Sequence, residues 1–170
     1  KYYVSASFRT DGSSRFGKDH RWASFWSVGA KYRITEEKFM EAAKSWLTDL
    51  TIRGSYGTTG NQDVGDHTNA DYLSWIVARD VFGYGYNYNG KPGSGHEQFG
   101  NPDLKWEKTG KFNVGIDATF LDRIFFTFDY YNHKTTDMVF AVPVSYLTGL
   151  TEYYKNIGSL SNKGIEFSLG

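Results

Sequence analysis

Asn101-Pro-Asp-Leu-Lys-Trp-Glu-Lys-Thr-Gly-Lys-Phe-Asn-Val-Gly-Ile-Asp-Ala-Thr-Phe-Leu-Asp-Arg-Ile-Phe-Phe-Thr-Phe-Asp-Tyr-Tyr-Asn-His-Lys134 decides the fold of this chain. From Lys105 the odd positions are Lys105, Glu107, Thr109, Lys111, Asn113, Gly115, Asp117 and Thr119, none of them apolar. Phe112, Val114, Ile116, Ala118 and Phe120 alternate with them, and all are apolar. A strict period of two is a β-strand with one greasy face and one wet face. After Leu121-Asp122-Arg123 the alternation resumes, with Ile124, Phe126, Phe128 and Tyr130 against Thr127, Asp129, Tyr131 and His133. The stretch therefore predicts a long antiparallel hairpin with a tight turn. Phe112 to Phe120 would span about 27 Å at ~3.3 Å per residue. Tilted by about 40°, that is roughly 20 Å of depth, near the ~25 Å apolar band of outer-membrane barrels.

Outward from the hairpin the pattern repeats. Residues 1–9 alternate Tyr2, Val4, Ala6 and Phe8 with Tyr3, Ser5, Ser7 and Arg9. Residues 22–34 set Trp26, Val28, Ala30, Tyr32 and Ile34 against Ser27, Gly29, Lys31 and Arg33. Residues 50–57 and 157–169 read as further strands, the latter with Ile165, Phe167 and Leu169 opposite Gly164, Glu166 and Ser168. Only residues 35–47 change period. Phe39, Met40, Ala43, Trp46 and Leu47 recur at helical spacing after Thr35, which suits an N-cap, so a short helix is expected there. The expected fold class is all-β, with about six up-and-down antiparallel strands over residues 1–170 and this one helix between strands. Three long polar segments, 10–21, 58–104 and 137–156, fall on one end of the sheet, and the helix and tight turn on the other. Residues 72–81 suggest a short strand or hairpin arm inside the second segment.

Composition narrows the class. The chain of 170 residues is 39% hydrophobic but 18% aromatic, with 13 Tyr, 13 Phe and 5 Trp, which suits a sheet greasy on one face only. Net charge is zero, so nothing points to nucleic acid. With no cysteine there is no disulfide or thiol chemistry. No apolar run is long enough for a transmembrane helix, which says nothing about a barrel. Lys1 opens directly into a strand pattern and residues 165–170 read as a strand cut short, so a piece of a longer chain is expected. Tyr2, Phe8, Trp26, Tyr32, Tyr56 and Tyr130 mark strand ends on the apolar face, as interfacial girdles do.

The ordered set of motifs resembles the β-barrel of SusC/RagA-type TonB-dependent outer-membrane transporters of Bacteroidota. The matching stretches are Phe8-Arg-Thr-Asp-Gly-Ser-Ser-Arg-Phe-Gly17, Ser27-Val-Gly-Ala30, Arg33-Ile-Thr-Glu-Glu37 and Arg53-Gly-Ser-Tyr-Gly-Thr-Thr-Gly-Asn-Gln62. Asn101-Pro-Asp-Leu-Lys-Trp-Glu107, Val114-Gly-Ile-Asp117, Asp129-Tyr-Tyr-Asn132, Asn156-Ile-Gly158 and Asn162-Lys-Gly-Ile-Glu166 complete it. The resemblance implies about six strands of a 22-stranded barrel, with the plug domain and the TonB-contacting segment outside this stretch. It also implies import of oligosaccharide or peptide cargo, a SusD-like surface lipoprotein as partner, and placement in the outer membrane as a multi-pass barrel. The runner-up reading is a soluble all-β carbohydrate-binding module, in which the apolar face would pack on a second sheet.

Candidate sites follow from both readings. Arg53, Lys111, Asp117, Asp129 and Glu166 lie on the polar, expected lumen-facing side with Arg9, Lys31, Arg33, Lys105 and Glu107. They are placed either to meet plug or substrate, or to pair with one another across strands. Tyr84, Tyr86 and Tyr88 form a stripe that, with Tyr72, Trp75, Tyr146 and Tyr153, offers aromatic platforms for cargo or partner, or for loop packing. Asp63, Asp66, Asn69 and Asp71 gather oxygen donors of the kind calcium takes, but not at EF-hand spacing, and such clusters more often build turns. His20, His67, His96 and His133 lack zinc spacing. Ser55 and Ser74 lack a nucleophile's context, and Gly83-x-Gly85 precedes no helix. No cofactor and no enzymatic activity are expected, and an outer-membrane hydrolase would need a carboxylate pair or triad that the chain does not offer.

Overall fold

The structure is a computed structural model that describes residues 1–64 and 76–170. Strands β1 (Tyr2–Gly12), β2 (Trp22–Arg33), β3 (Leu47–Asn61), β4 (Val81–Tyr88), β5 (Lys91–Gln98), β6 (Glu107–Phe120), β7 (Ile124–Pro143) and β8 (Glu152–Leu169) follow in order. Six of them form one antiparallel sheet, β1-β2-β3-β6-β7-β8, and β4-β5 form a separate hairpin. The sheet is unclosed, with β1 and β8 at its edges. The calcium candidates Asp66, Asn69 and Asp71, together with His67, Tyr72, Ser74 and Trp75, lie outside the described residues, as do residues 72–75 of the suggested 72–81 arm.

Register keeps the alternation in phase across all six strands. One row runs Tyr3, Lys31, Arg53, Gly115, Asp129, Glu166, and the adjacent row runs Tyr2, Tyr32, Ile52, Ile116, Phe128, Phe167. The apolar face lies bare. Even on the central strands Ile52, Tyr56, Phe112 and Ile116 keep 36–44% exposure, and Val4 on the edge keeps 78%. A sandwich would bury these side chains between layers, so the soluble-module reading fails on this face.

The bare band descends obliquely. On its loop side it ends at Phe8 and Trp26 on β1 and β2, one row lower at Tyr56 and Phe112 on β3 and β6, and another row lower at Tyr130 and Ile165 on β7 and β8. With ~3.3 Å per residue and ~4.8 Å between strands, that staircase has a slope of about 30°. A level lipid boundary drawn across strands tilted by ~35–45° descends in this way. Aromatic pairs bridge strands along it: Tyr2 stacks on Tyr32 at 4.5 Å between ring centroids, and Trp26 meets Tyr56 at 5.5 Å.

The only cluster of buried apolar side chains among the described residues sits on the opposite, polar side, at the loop end. It comprises Phe16, Ala23, Phe25, Val64, Val77, Leu104 and Trp106, with Val139 and Tyr154 packed against it. Phe25 and Ala23 occupy polar-face positions of β2, so the first and second long segments fold back over the wet face. Phe25 lies where a side chain on Gly60 would be, which is why β3 has glycine there. The Trp106 indole N–H donates to the Arg21 carbonyl at 3.0 Å and so ties this core to the first loop.

Several expected elements are corrected. The helix at 35–47 is two short 3-10 turns, Ile34–Glu36 and Lys38–Ala43, and no side chain caps either of them. Thr35 instead donates its hydroxyl to Asp49 Oδ1 at 3.1 Å. Phe39 and Trp46 remain exposed. A helical stripe with no surface to cover gains little, and the connection need only step between neighbouring strands ~4.8 Å apart. The tight turn is as expected: Arg123 N–H donates to the Phe120 carbonyl at 3.0 Å. Leu121 (φ 52) and Asp122 (φ 55) are both left-handed, the pair a type I′ turn needs. Beyond its expected end at 136, β7 runs on to Pro143, and β8 begins at Glu152, so the third loop shrinks to 144–151. Inside the second loop a hairpin occupies 81–98, and residues 76–80 of the suggested arm are turn rather than strand.

The inward core predicts a local effect. Phe25→Ala should cost about 3–5 kcal/mol of local stability. Limited proteolysis of the full-length protein in detergent should then cut faster at residues 13–21 and 99–106, while the heat-modifiable migration of the folded barrel persists.

Candidate functional site

The polar wall is organised by ion pairs that cross strands. Arg53 on β3 reaches Asp117 on β6 at 3.0 Å and Asp129 on β7 at 2.7 Å. Asp129 lies two strands away, and the residue between them in the row is Gly115. A Cβ there would fall 2.8 Å from the Arg53 guanidinium carbon and closer still to the Asp129 carboxylate. Glycine thus opens the slot through which the guanidinium spans a whole strand. Of the candidate wall residues, Arg53, Asp117 and Asp129 are brought together, and there the mutual-pairing reading describes the geometry. Glu166 stands beside Asp129 on the edge strand, and Lys111 lies opposite His133 further toward the loops; both are exposed. At the turn end Arg33 meets Asp49 at 2.6 Å, and Asp49 also accepts from the hydroxyls of Thr35 and Thr51.

The Asn101–Glu107 motif is a clamp on the loop side. Asn101 accepts the Asp103 N–H at 3.1 Å and donates its amide to the Tyr154 carbonyl at 2.9 Å. Leu104 and Trp106 enter the buried core, while Lys105 pairs with Asp137 at 3.0 Å. Asn156 accepts the Lys105 N–H at 3.0 Å and donates to the carbonyls of Lys105 (2.8 Å) and Asp137 (2.6 Å). Glu107 accepts the Val139 N–H at 2.8 Å and the Asn61 amide at 3.0 Å. Asp137 is left-handed (φ 57), at a bulge in the β7–β8 register. The sequence placed Asn101, Asn156 and Asp137 in loops or at loop edges; their joint role rests on pairings 19 to 53 residues apart, which no local pattern announces.

The aromatic candidates are dispersed. In the β4–β5 hairpin a bulge at Gly85 (φ 100) shifts the pairing from Tyr84–Ser94 to Tyr86–Gly93. Ser94 and Gly93 point to opposite faces, so the expected stripe is broken: Phe82 and Tyr84 share one face, Tyr86 and Tyr88 the other. Tyr84 and Tyr88 are almost fully exposed, while the Tyr86 ring lies over Gly95. His96 packs at tilted angles between Phe82 and Phe99, at 4.2 and 5.0 Å between ring centroids. Tyr146 and Leu147 stand exposed on a 3-10 turn at the tip of β7–β8, and Tyr153 is half-buried on β8. No cluster of metal-ligating side chains occurs among the described residues.

Residues 1–170 match the family described as TonB dependent receptor-like, beta-barrel. This chain belongs to the TonB-dependent receptor barrel family. It is 36% identical over 170 residues to TonB-dependent receptor P39 of Formosa agariphila, covering 99% of this chain and 15% of that protein. It is 38% identical over 176 residues to TonB-dependent receptor SusC of Bacteroides thetaiotaomicron, covering 99% of this chain and 17% of SusC. The solved RagAB peptide transporter superposes on 99% of this chain and 18% of its own at TM-score 0.83, with 36% identity. The chain therefore spans less than a fifth of the length of these relatives, and its unclosed sheet matches part of a TonB-dependent barrel wall.

The wall network gives a test. A double-mutant cycle on Arg53→Met and Asp129→Asn in the full-length protein should show a coupling of about 1 kcal/mol, as a half-exposed pair allows. Gly115→Val should destabilise by more than that coupling in the same urea titration, because it also blocks the reach to Asp117.

Proposed function

We propose that residues 1–170 form part of the wall of an outer-membrane active transporter that imports glycans or peptides with a SusD-like surface lipoprotein and draws energy through TonB. One observation carries this reading: a bare apolar band steps down obliquely across six strands whose other face is polar and ion-paired. A spanning sheet needs an apolar face for lipid and a backbone satisfied strand to strand; this sheet bares one apolar face and pairs its backbone between its two edge strands, which supports the reading. Family membership supports it, as do the transport roles named for RagAB. Import of this kind involves no bond making, so the residues act by position. Arg53, Lys111, Asp117, Asp129 and Glu166 face the lumen. Tyr84, Tyr86, Tyr88, Tyr146 and Tyr153, with Trp75 beyond the described residues, are assigned to contact with cargo or lipoprotein. Because the Gly85 bulge divides the tyrosines, two faces of one hairpin serve that contact rather than one platform.

The two faces respond differently to charge. Ile116→Lys, mid-band on the apolar side, should destabilise the full-length barrel by about 2–4 kcal/mol, whereas Asn113→Lys on the wet face should have little effect. Urea unfolding in liposomes, read with quenching by brominated lipid, measures both. Equal tolerance of the two substitutions would remove the membrane reading. TonB-dependent uptake of labelled oligosaccharide and peptide by cells carrying or lacking the protein tests the transport step itself.

A further inference from the structure

The geometry points to a docking site for a phosphorylated lipid headgroup on the outward face, just beyond the loop-side end of the apolar band on β6, β7 and β8. It rests on the membrane part of the import reading and adds to it a preferred lipid. The site is a row of three lysines. Lys108 pairs in register with Thr136, Lys134 with Gly110 and Ser161, and Lys163 with Asn132. These pairings put them in phase with Phe112, Tyr130 and Ile165, the last apolar side chains of the band on the same three strands. They therefore stand on the face that carries the band, and not on the wet face with Lys111.

Their heights agree with one another. Lys108 lies one outward row above Lys134, and Lys134 one outward row above Lys163. This staircase descends in the same sense as the edge of the band, so strand tilt brings the three toward a common level. Lys108 and Lys134 are four residues beyond the end of the band on their strands, and Lys163 is two. At ~3.3 Å per residue and a tilt of about 40°, they stand roughly 5–10 Å above the last apolar side chains. The polar layer on each side of the ~30 Å hydrocarbon core is about 5–8 Å deep. The three ammonium groups thus fall at the depth of lipid phosphates.

Their charge is uncompensated on that face. All three lysines are exposed, and none enters an ion pair among the described residues. The outward positions around them are Gly110, Asn132, Thr136, Ser159 and Ser161, none of them acidic. The acids of this region are engaged elsewhere: Glu107 accepts the Val139 N–H at 2.8 Å and the Asn61 amide at 3.0 Å, and Asp137 pairs with Lys105 at 3.0 Å. Successive lysines are diagonal neighbours across strands, about 7–8 Å apart. Cations this close repel one another, and an anion that bridges them removes that cost. A headgroup with two phosphates can span the row. The first outward positions beyond the band on β1, β2 and β3 are Thr10, Ser24 and Thr58, all uncharged, so the patch is local to three strands and not a general feature of the rim. It faces sideways, continuous with the band and below the β7–β8 arm, which favours a lipid over an acidic protein segment as its occupant.

The experiment uses the full-length protein in a non-ionic detergent. It is titrated with lipid A carrying two phosphates and with the same lipid after enzymatic removal of both, and native mass spectrometry counts the bound lipid. Wild type should hold the phosphorylated lipid at least about tenfold more tightly. The triple substitution Lys108→Gln, Lys134→Gln and Lys163→Gln should abolish most of that preference, whereas arginine at the same three positions should keep it. Heat-modifiable migration checks folding. Should the triple glutamine variant misfold, Lys134→Gln alone, at the centre of the row, still decides by a loss of about threefold or more. Equal retention of the two lipids by wild type, or an unchanged preference in the folded glutamine variants, would overturn the inference. So would loss of a co-purifying lipoprotein from those variants with lipid preference unchanged, which would give the patch to a protein partner. The membrane reading fails on a different result, equal tolerance of Ile116→Lys and Asn113→Lys.

Discussion

A shift of one residue at any strand pairing in the six-stranded sheet would turn one strand's apolar side chains onto the wet face. The whole arrangement depends on that register. Its enforcement is distributed over direct neighbours: Tyr2 on Tyr32, Ser7 to Ser27 at 2.7 Å, and Thr109 to Thr135 at 2.9 Å. Arg53 adds a longer-range lock, because its two carboxylates lie on the next strand and the one after, and a slipped β6 would put a side chain where Gly115 now leaves a gap. The apolar band then follows without further instruction. It slopes because successive pairs of strands end their apolar runs one row lower.

A sheet of this kind has no conventional core, and the chain builds a small one elsewhere. The seven buried side chains of the loop-side cluster come from β2, the two long segments and Trp106, just before β6. They roof the end of the polar face and fix the chain that leaves β1 and enters β6. Two glycines make this possible from opposite ends of the wall. Gly60 yields its space to a buried aromatic ring, and Gly115 to a charged bridge.

What could be read from the sequence was what local periodicity encodes. Strand phase, the polar face and the tight turn at Leu121-Asp122 were all legible, because each is set by neighbours two or three positions apart. The 35–47 stretch misled because helical spacing of Phe39, Met40 and Ala43 has meaning only where a surface awaits it, and none does. The inward core left one legible trace, the apolar Ala23 and Phe25 at positions where β2 should be wet. The clamp built from Asn101, Glu107, Asp137 and Asn156 left none, since its partners meet only after β6, β7 and β8 are paired. The tyrosine stripe failed for a subtler reason: alternation in sequence equals a shared face only on an unbulged strand, and Gly85 bulges this one.

The longest hairpin carries the remaining consequence. Beyond Lys108–Thr136, β7 and β8 pair only with each other, and they continue to Pro143 and Glu152. From the last apolar-face residue, Tyr130, to Pro143 the strand extends about 43 Å at ~3.3 Å per residue, or roughly 35 Å above the end of the apolar band once tilted. The free two-stranded part, residues 137–143 or about 23 Å at ~3.3 Å per residue, is marginal on its own. Here its base is held where bending leverage is greatest, by the Asn156 amide, the Glu107 carboxylate and the Lys105–Asp137 pair. Its tip is closed by Ser145 accepting the Leu147 N–H at 3.3 Å and by Gly149 in the left-handed region (φ 85). Tyr146 and Leu147 are therefore presented on an anchored arm far beyond the bare apolar band, 84% and 98% exposed, and a membrane covering that band, as proposed, would not reach them.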